Sequence, residues 1–277
     1  MENEIKAILT KKQYNVYDLA KIVSILRSEN GCPWDKVQTH KSIKNDFLEE
    51  VYEVIEAIDF DSPEMLKEEL GDVLLQVVFH TDIERQKGQF DLDGIANDVC
   101  QKLIIRHPHV FGDVTADNVD TVLKNWDSIK KETKGQESYT DTLKSVPRVF
   151  PSLMRAQKLG KRASRAGMDF KGTDDCLASL KSEVNELENE IAQKNTEAMA
   201  EELGDLMFSC ANLARKLGFD AEQLLYEANE KFLRRFEAVE NLVRQDGLDM
   251  AALSIDELDT YWVKVKNLND ESNEQDS

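Results

Sequence analysis

Glycine and proline are scarce in this chain of 277 residues, at 12 and 5. Both residues interrupt helices, so their scarcity leaves room for long ones. Cysteine is equally thin: Cys32, Cys100, Cys176 and Cys210 stand far apart, with no Cys-x-x-Cys pair. That spacing speaks against a cysteine-held zinc or a dithiol redox motif, and it suits reduced thiols in the cytoplasm. No apolar run approaches the roughly 20 residues of a membrane span. The acidic start, Met1-Glu2-Asn3-Glu4, lacks the pattern of a signal peptide. A cytoplasmic protein with no membrane partner is expected. Basic residues are outnumbered, 35 against 54 acidic ones, for a formal net charge of −19. So negative a surface repels nucleic acid, which is not expected as a partner, and concentrates potential that attracts divalent cations.

What is present points to helix. Hydrophobic residues make up 41% and charged ones 32%, enough for a core and a solvated exterior. Leu48, Val51, Ile55 and Ile58 recur at helical spacing, and so do Leu70, Val73, Leu74, Val77 and Val78. Between the two stripes, Asp61-Ser62-Pro63-Glu64 reads as a helix start, a polar cap followed by proline in the first turn. A loop this short predicts two antiparallel helices. The second half repeats the unit: Leu177, Leu180, Val184, Leu187 and Ile191, then Thr196 as a cap, then Leu203, Leu206, Met207, Cys210 and Ala211. Further helices are predicted near 224–243 and 255–267, and no segment shows strand alternation. The fold class is all-α, with two tandem helical-bundle modules related by internal duplication. The predicted division is an N-terminal module over 1–130, a linker over 131–152, a C-terminal module over 153–268, and a disordered acidic tail over 269–277.

The informative pattern is acidic. Glu-Glu-Leu-Gly-Asp occurs at 68–72 and again at 201–205. Glu50, Glu53, Glu69 and Asp72 recur 133 positions later as Glu183, Glu186, Glu202 and Asp205. Residues three apart share a helix face, so each pair points one way, off the apolar stripe of its own helix. A single Glu-x-x-Glu is ordinarily a solvated face. Here the acids and the Leu-Gly survive while their surroundings diverge: Ser182 stands for Glu49, Asn185 for Tyr52, and Ser209-Cys210-Ala211-Asn212 for Gln76-Val77-Val78-Phe79. Four carboxylates drawn together repel unless a cation offsets them. An all-oxygen donor set suits Mg²⁺ or Mn²⁺, whereas zinc or copper would select His or Cys. All eight residues are therefore candidate metal ligands, and Glu183, Glu186, Glu202 and Asp205 candidate catalytic groups.

The pattern Glu49-Glu50-x-x-Glu53 followed by Glu69-x-x-Asp72 resembles the motif of the MazG nucleoside triphosphate pyrophosphohydrolases, within the all-α NTP pyrophosphatase superfamily. Gly31-Cys32-Pro33-Trp34-Asp35, Arg106-His107-Pro108-His109-Val110-Phe111-Gly112-Asp113 and the 228–236 segment extend the resemblance over nearly the whole chain. It implies an all-α fold, a homodimer, Mg²⁺ dependence, and hydrolysis of an NTP to NMP and pyrophosphate. It also implies that Ser179, Leu180, Lys181, Ser182 and Glu183, the run Lys231, Phe232, Leu233, Arg234 and Arg235, and Trp262 line a nucleotide site in the second half.

A triphosphate needs cations from the protein as well as metal. Lys231 and Arg235 share a helix face, as do Lys102 and Arg106 in the first half. Trp262 and Lys266 mirror Trp126 and Lys130, a ring to stack on a base and an ammonium one turn away for a phosphate. The bland readings are a core tryptophan and solvated basic residues, and the cluster Arg155, Lys158, Lys161, Arg162 and Arg165 fits a surface helix as well as a phosphate-reaching arm. His107 and His109 flank a proline with no third ligand nearby and read as a structural turn. The second half is favoured as the main NTP site, with the first active on other nucleotides or structural. The rival readings are a non-catalytic module that senses nucleotides or docks on a regulatory protein partner, and a house-cleaning hydrolase restricted to non-standard dNTPs.

Overall fold

The computed structural model describes residues 2–113, 122 and 138–275, with side chains up to 267 in the last helix. Among the described residues the secondary structure is helical, with no strand. Contacts divide the chain into two compact units, Met1–Lys130 and Lys131–Ser277.

The first unit runs α1 (Glu2–Leu9), α2 (Val16–Leu26), a 3₁₀ turn (Asp35–Val37), α3 (Lys44–Asp59), α4 (Pro63–Gln86), α5 (Leu92–Arg106) and the short α6 (Pro108–Phe111). Helix α4 is the spine, with α2 and α3 packed on it. Its start is set as the sequence indicates: the Ser62 side chain accepts from the Met65 N–H, and Pro63 occupies the first turn. Val23, Ile43, Val78, Phe79 and Ile83 form the buried core. Within that core lies an ion pair. Arg27 Nε meets Asp82 at 3.0 Å, the two side chains 4% and 3% exposed. Arg27 also donates to the Asp35 carbonyl at 2.7 Å, and Asp82 takes further bonds from Arg85 and Gln86. Fully met, the pair fixes the 27–38 segment against α4; either partner alone would be a buried uncompensated charge.

The second unit contains α7 (Tyr139–Lys144), α8 (Ser152–Arg165), α9 (Thr173–Gln193), α10 (Thr196–Leu217), α11 (Ala221–Gln245), a 3₁₀ turn (Met250–Ala252) and α12 (Ile255–Gln275). Helix α10 is the counterpart of α4. Its cap is Asn195, whose side chain accepts from the Ala198 N–H, with Thr196 as the first helical residue rather than the cap. Within the stretch read as linker, α7 packs on α8, Val146 is buried, and Arg162 donates to the Thr142 carbonyl and the Ser145 hydroxyl. The backbone of the stretch read as a disordered tail continues α12 to Gln275.

Small residues build the α8–α10 contact. Ala156, Ala211 and Ala214, joined by Ala221 at the start of α11, form its core, and at Gly160 an added Cβ would stand 2.1 Å from Asn212 Oδ1. A second core, Val239, Val243 and Val265, joins the ends of α11 and α12. In the first unit α5 ends at Arg106, where His107-Pro108 interrupts the helix. The ion pair is also reversed: position 215, equivalent to Asp82, is Arg215, which meets Asp169 at 2.6 Å while Lys216 meets it at 3.0 Å. The Arg215 hydrogen bond, with that of Lys216, holds the Asp169 carboxyl down to about 2.

Two stability outcomes follow. Gly160→Ala should lower the melting temperature through about 1–3 kcal/mol of overpacking, whereas Gly204→Ala, whose Cβ would meet nothing within 4 Å, should raise it by about 0.5–1 kcal/mol of helix propensity. Calorimetry of the two variants separates them by sign. Asp169 is depressed on folding, so its contribution is complete above the ordinary value of 3.8 and is lost as pH falls from there towards about 2. Asp169→Asn should therefore flatten the acid limb of the stability curve, read by denaturant melts between pH 5 and pH 2.

Candidate metal and nucleotide site

Each unit contains a helix hairpin whose turn is equidistant from its acids. Glu53 and Glu50 precede Asp61 by the same intervals at which Glu69 and Asp72 follow it. Glu186 and Glu183, and then Glu202 and Asp205, are placed identically about Lys194. Asp61 and Lys194 are the only two non-glycine residues with positive φ among the described residues, at 49° and 58°. Each is a left-handed reversal at the equivalent position, a conformation that costs an L-residue about 1–2 kcal/mol. The antiparallel return therefore sets Glu50 near Asp72 and Glu53 near Glu69, beside the core.

The carboxylates meet as that register requires. In the first unit Glu50, Glu69 and Asp72 each offer an oxygen within 4.8 Å of the others, and in the second unit Glu183, Glu186 and Glu202 do so. The fourth acids, Glu53 and Asp205, lie outside these tight triads. Glu53 still bonds to Glu50 and Glu69, and Asp205 acts on Glu202 by charge. Desolvation, reinforced by neighbouring carboxylates, pushes Glu50, Glu69 and Glu202 above the ordinary carboxyl range. Such a field is what a divalent cation relieves, and a donor set of carboxylate oxygens alone fits a hard ion.

Two supporting contacts were not legible from the acidic pattern. Ser182, which replaces the leading glutamate of the first half, donates from Oγ to Glu186 Oε1 at 2.8 Å. Ser209, buried on α10, reaches Glu183 Oε1 at 3.5 Å. Both hydroxyls orient triad members, and the serine substitutions at 182 and 209 were the available signal.

The cationic residues form a second group. Lys231 is exposed and Arg235 half-buried on α11. Phe232, between them, lies 5.4 Å from the Trp262 ring of α12, which brings the 231–235 run and Trp262 together. Trp262 is half-buried against the Val239, Val243 and Val265 core, so it is part packing residue, and Lys266 is exposed one turn beyond it. Ser179 to Glu183 lie on α9, which packs on α10 and does not pair closely with α11. In the first unit Lys102 and Arg106 share α5, while Trp126 and Lys130 lie outside the described residues. His107 serves the turn, its Nδ1 against the Leu103 carbonyl at 2.7 Å.

Comparison with known proteins agrees with this duplication. The family model for the MazG nucleotide pyrophosphohydrolase domain matches twice, at residues 38–111 and 172–239, and each match contains one acidic hairpin. The chain is 41% identical to the nucleoside triphosphate pyrophosphohydrolase/pyrophosphatase MazG of Thermotoga maritima, over 90% of this chain and 94% of that one. It is 42% identical to a nucleoside triphosphate pyrophosphohydrolase of Escherichia coli, over 90% and 95%. With one of Mycolicibacterium smegmatis it shares 33% over 63% of its length and 54% of the other's. With two copies of the domain and relatives matched nearly end to end, the chain belongs to the MazG family and is a nucleoside triphosphate pyrophosphohydrolase.

Proposed function

We propose that the chain hydrolyses nucleoside triphosphates to nucleoside monophosphate and pyrophosphate with Mg²⁺, and that the second unit holds the main site. The observation that carries this reading is that the second unit has, besides its oxygen-only carboxylate triad, a basic–aromatic group in which Phe232, between Lys231 and Arg235, lies 5.4 Å from the Trp262 ring. Glu183, Glu186 and Glu202 would hold Mg²⁺, or Mn²⁺ in its place. When bound, the metal neutralises phosphate charge and acidifies a water. Asp205, outside the triad, is the carboxylate left to take the proton of the attacking water. That water forms a bond to the α-phosphorus while the bridging oxygen leaves with pyrophosphate. Lys231 and Arg235 would meet the charge accumulating on that leaving group, and Trp262 would border the base. ATP is one expected ligand.

A homodimer is part of the same proposal. In one chain α9, with Ser179–Glu183, has its main packing on α10 rather than on α11, with Lys231–Arg235, and a second copy would complete the site. Apolar side chains left partly exposed support this: Leu70 and Leu74 on α4 are 50% and 39% exposed, and their equivalents Leu203 and Met207 on α10 are 44% and 57% exposed. A cytoplasmic location is supported by four unpaired cysteines. Among the described residues no helix is long and apolar enough to cross a membrane.

Full-length Glu202→Gln should lose NMP and pyrophosphate release by about 100-fold or more, the scale of disturbed metal ligation, while Glu69→Gln keeps most of it. The reverse order would move the main site to the first unit, and release of NDP and orthophosphate would sink the assignment of the attacked phosphorus. Lys231→Ala should raise KM for every triphosphate tested, and chelation should stop turnover until Mg²⁺ is restored.

A further inference from the structure

The first unit contains a histidine pair that the chemistry above does not use. His40 lies in the segment between the 3₁₀ turn and α3, and His80 lies on α4, two turns beyond Asp72. Their Nδ1 atoms are 2.7 Å apart, and the two ring planes are within 6° of parallel, with centroids 5.0 Å apart. On its far side, His40 Nε2 donates to Glu84 Oε1 at 2.6 Å, and Lys87 donates to the same oxygen at 2.6 Å. Phe47 of α3 covers His80 with carbon. From α2, Arg27 holds the carbonyls of Asp35 and Gln38, its charge met by Asp82. The charged groups around the pair are thus Glu84 and Lys87 on α4, with Arg27 and Asp82 beyond them.

We propose that the His40–His80 contact is a one-proton bridge that fastens residues 38–43, and with them the start of α3, to α4, and that it opens when both rings become cations. The bridge needs one bare Nδ1. With both rings neutral, the Nδ1–H of His80 donates to His40, whose own hydrogen is on Nε2 and given to Glu84. A single added proton is tolerated, since a cationic ring still donates to a neutral one. A second puts hydrogens on both facing nitrogens and two positive charges at contact distance. Burial, and then the His40 charge, hold His80 below the ordinary 6.5. Lys87 and then His40 hold Glu84 below its ordinary range, so it remains ionised throughout this window.

The latch has a defined object. Ile43, the residue before α3, offers no side-chain cap, so the entry of the helix bearing Glu50 and Glu53 is held by its own burial and by the segment that His40 anchors. The second unit has Thr173 and Leu213 at the equivalent positions and therefore lacks the device, which makes it an internal control.

The sign follows from a base depressed on folding: its contribution is full above 6.5 and is lost as pH falls through the lower folded value. Hydrogen exchange of the full chain, corrected for intrinsic rates, tests this between pH 7.5 and pH 5.0. Protection over 38–43 should be constant near neutrality and then fall by roughly tenfold per pH unit for one linked proton, while 171–176 stays flat. His40→Gln, which keeps a hydrogen-bonding group but adds no second charge, should abolish the fall. Should that variant not fold, ring-nitrogen NMR of the unmodified protein decides, with one bare Nδ1 retained in the pair until protection over 38–43 begins to fall. Flat protection over 38–43, an unchanged fall in His40→Gln, independent titration of the rings, or a response to chelator that places a metal between the nitrogens would each overturn the proposal.

Discussion

Like charges do not gather without something forcing them together, and in this protein the force is backbone register. Each unit places its acids at equal intervals on either side of a left-handed reversal, Asp61 in one and Lys194 in the other. Once α3 returns as α4, or α9 as α10, the carboxylates have no choice but to face one another beside the core. Burial first, and neighbouring acids after it, push Glu50, Glu69 and Glu202 above the usual carboxyl range. A site under such pressure is primed for a cation. The packing of α2 and α8, the caps at Ser62 and Asn195, and the cores on α4 and α10 all serve to keep those hairpins closed.

The two units then solve the remaining problems differently. The first anchors its preceding loop by Arg27–Asp82 inside the core. The second reverses the charges in Arg215–Asp169 and packs alanine and glycine where the first packs larger side chains. Its α11 also runs unbroken to Gln245, where α5 ends at Arg106 before His107-Pro108. Its last turns carry the Val239 and Val243 core against which Trp262 packs, beside Phe232 of the 231–235 basic run.

Much of this was legible beforehand for a physical reason: helices of two or more turns announce themselves by period, and Ser62-Pro63 is a start signal that local hydrogen bonding alone enforces. The hairpins, the eight acids and the absence of strands among the described residues follow from those rules. Local rules failed at longer range. Thr196 looked like a cap, but Asn195 one residue earlier takes that role by accepting from the Ala198 N–H. Ser182 looked like a lost acid and is instead a donor to Glu186. The docking of α7 through Arg162, and the half-burial of Trp262, depend on partners far along the chain that no periodicity reports.

Sequence alone determined the helical class, the duplication, and the set of acids capable of holding a hard ion, because side-chain chemistry and short-range spacing are written residue by residue. Tertiary structure decided which three acids in each unit come within reach of one another, and that Phe232 of the 231–235 run meets the Trp262 ring. It also decided that His40 and His80, forty positions apart, share a contact. Those outcomes hinge on differences of an ångström in how helices cross, and packing of the whole unit sets them.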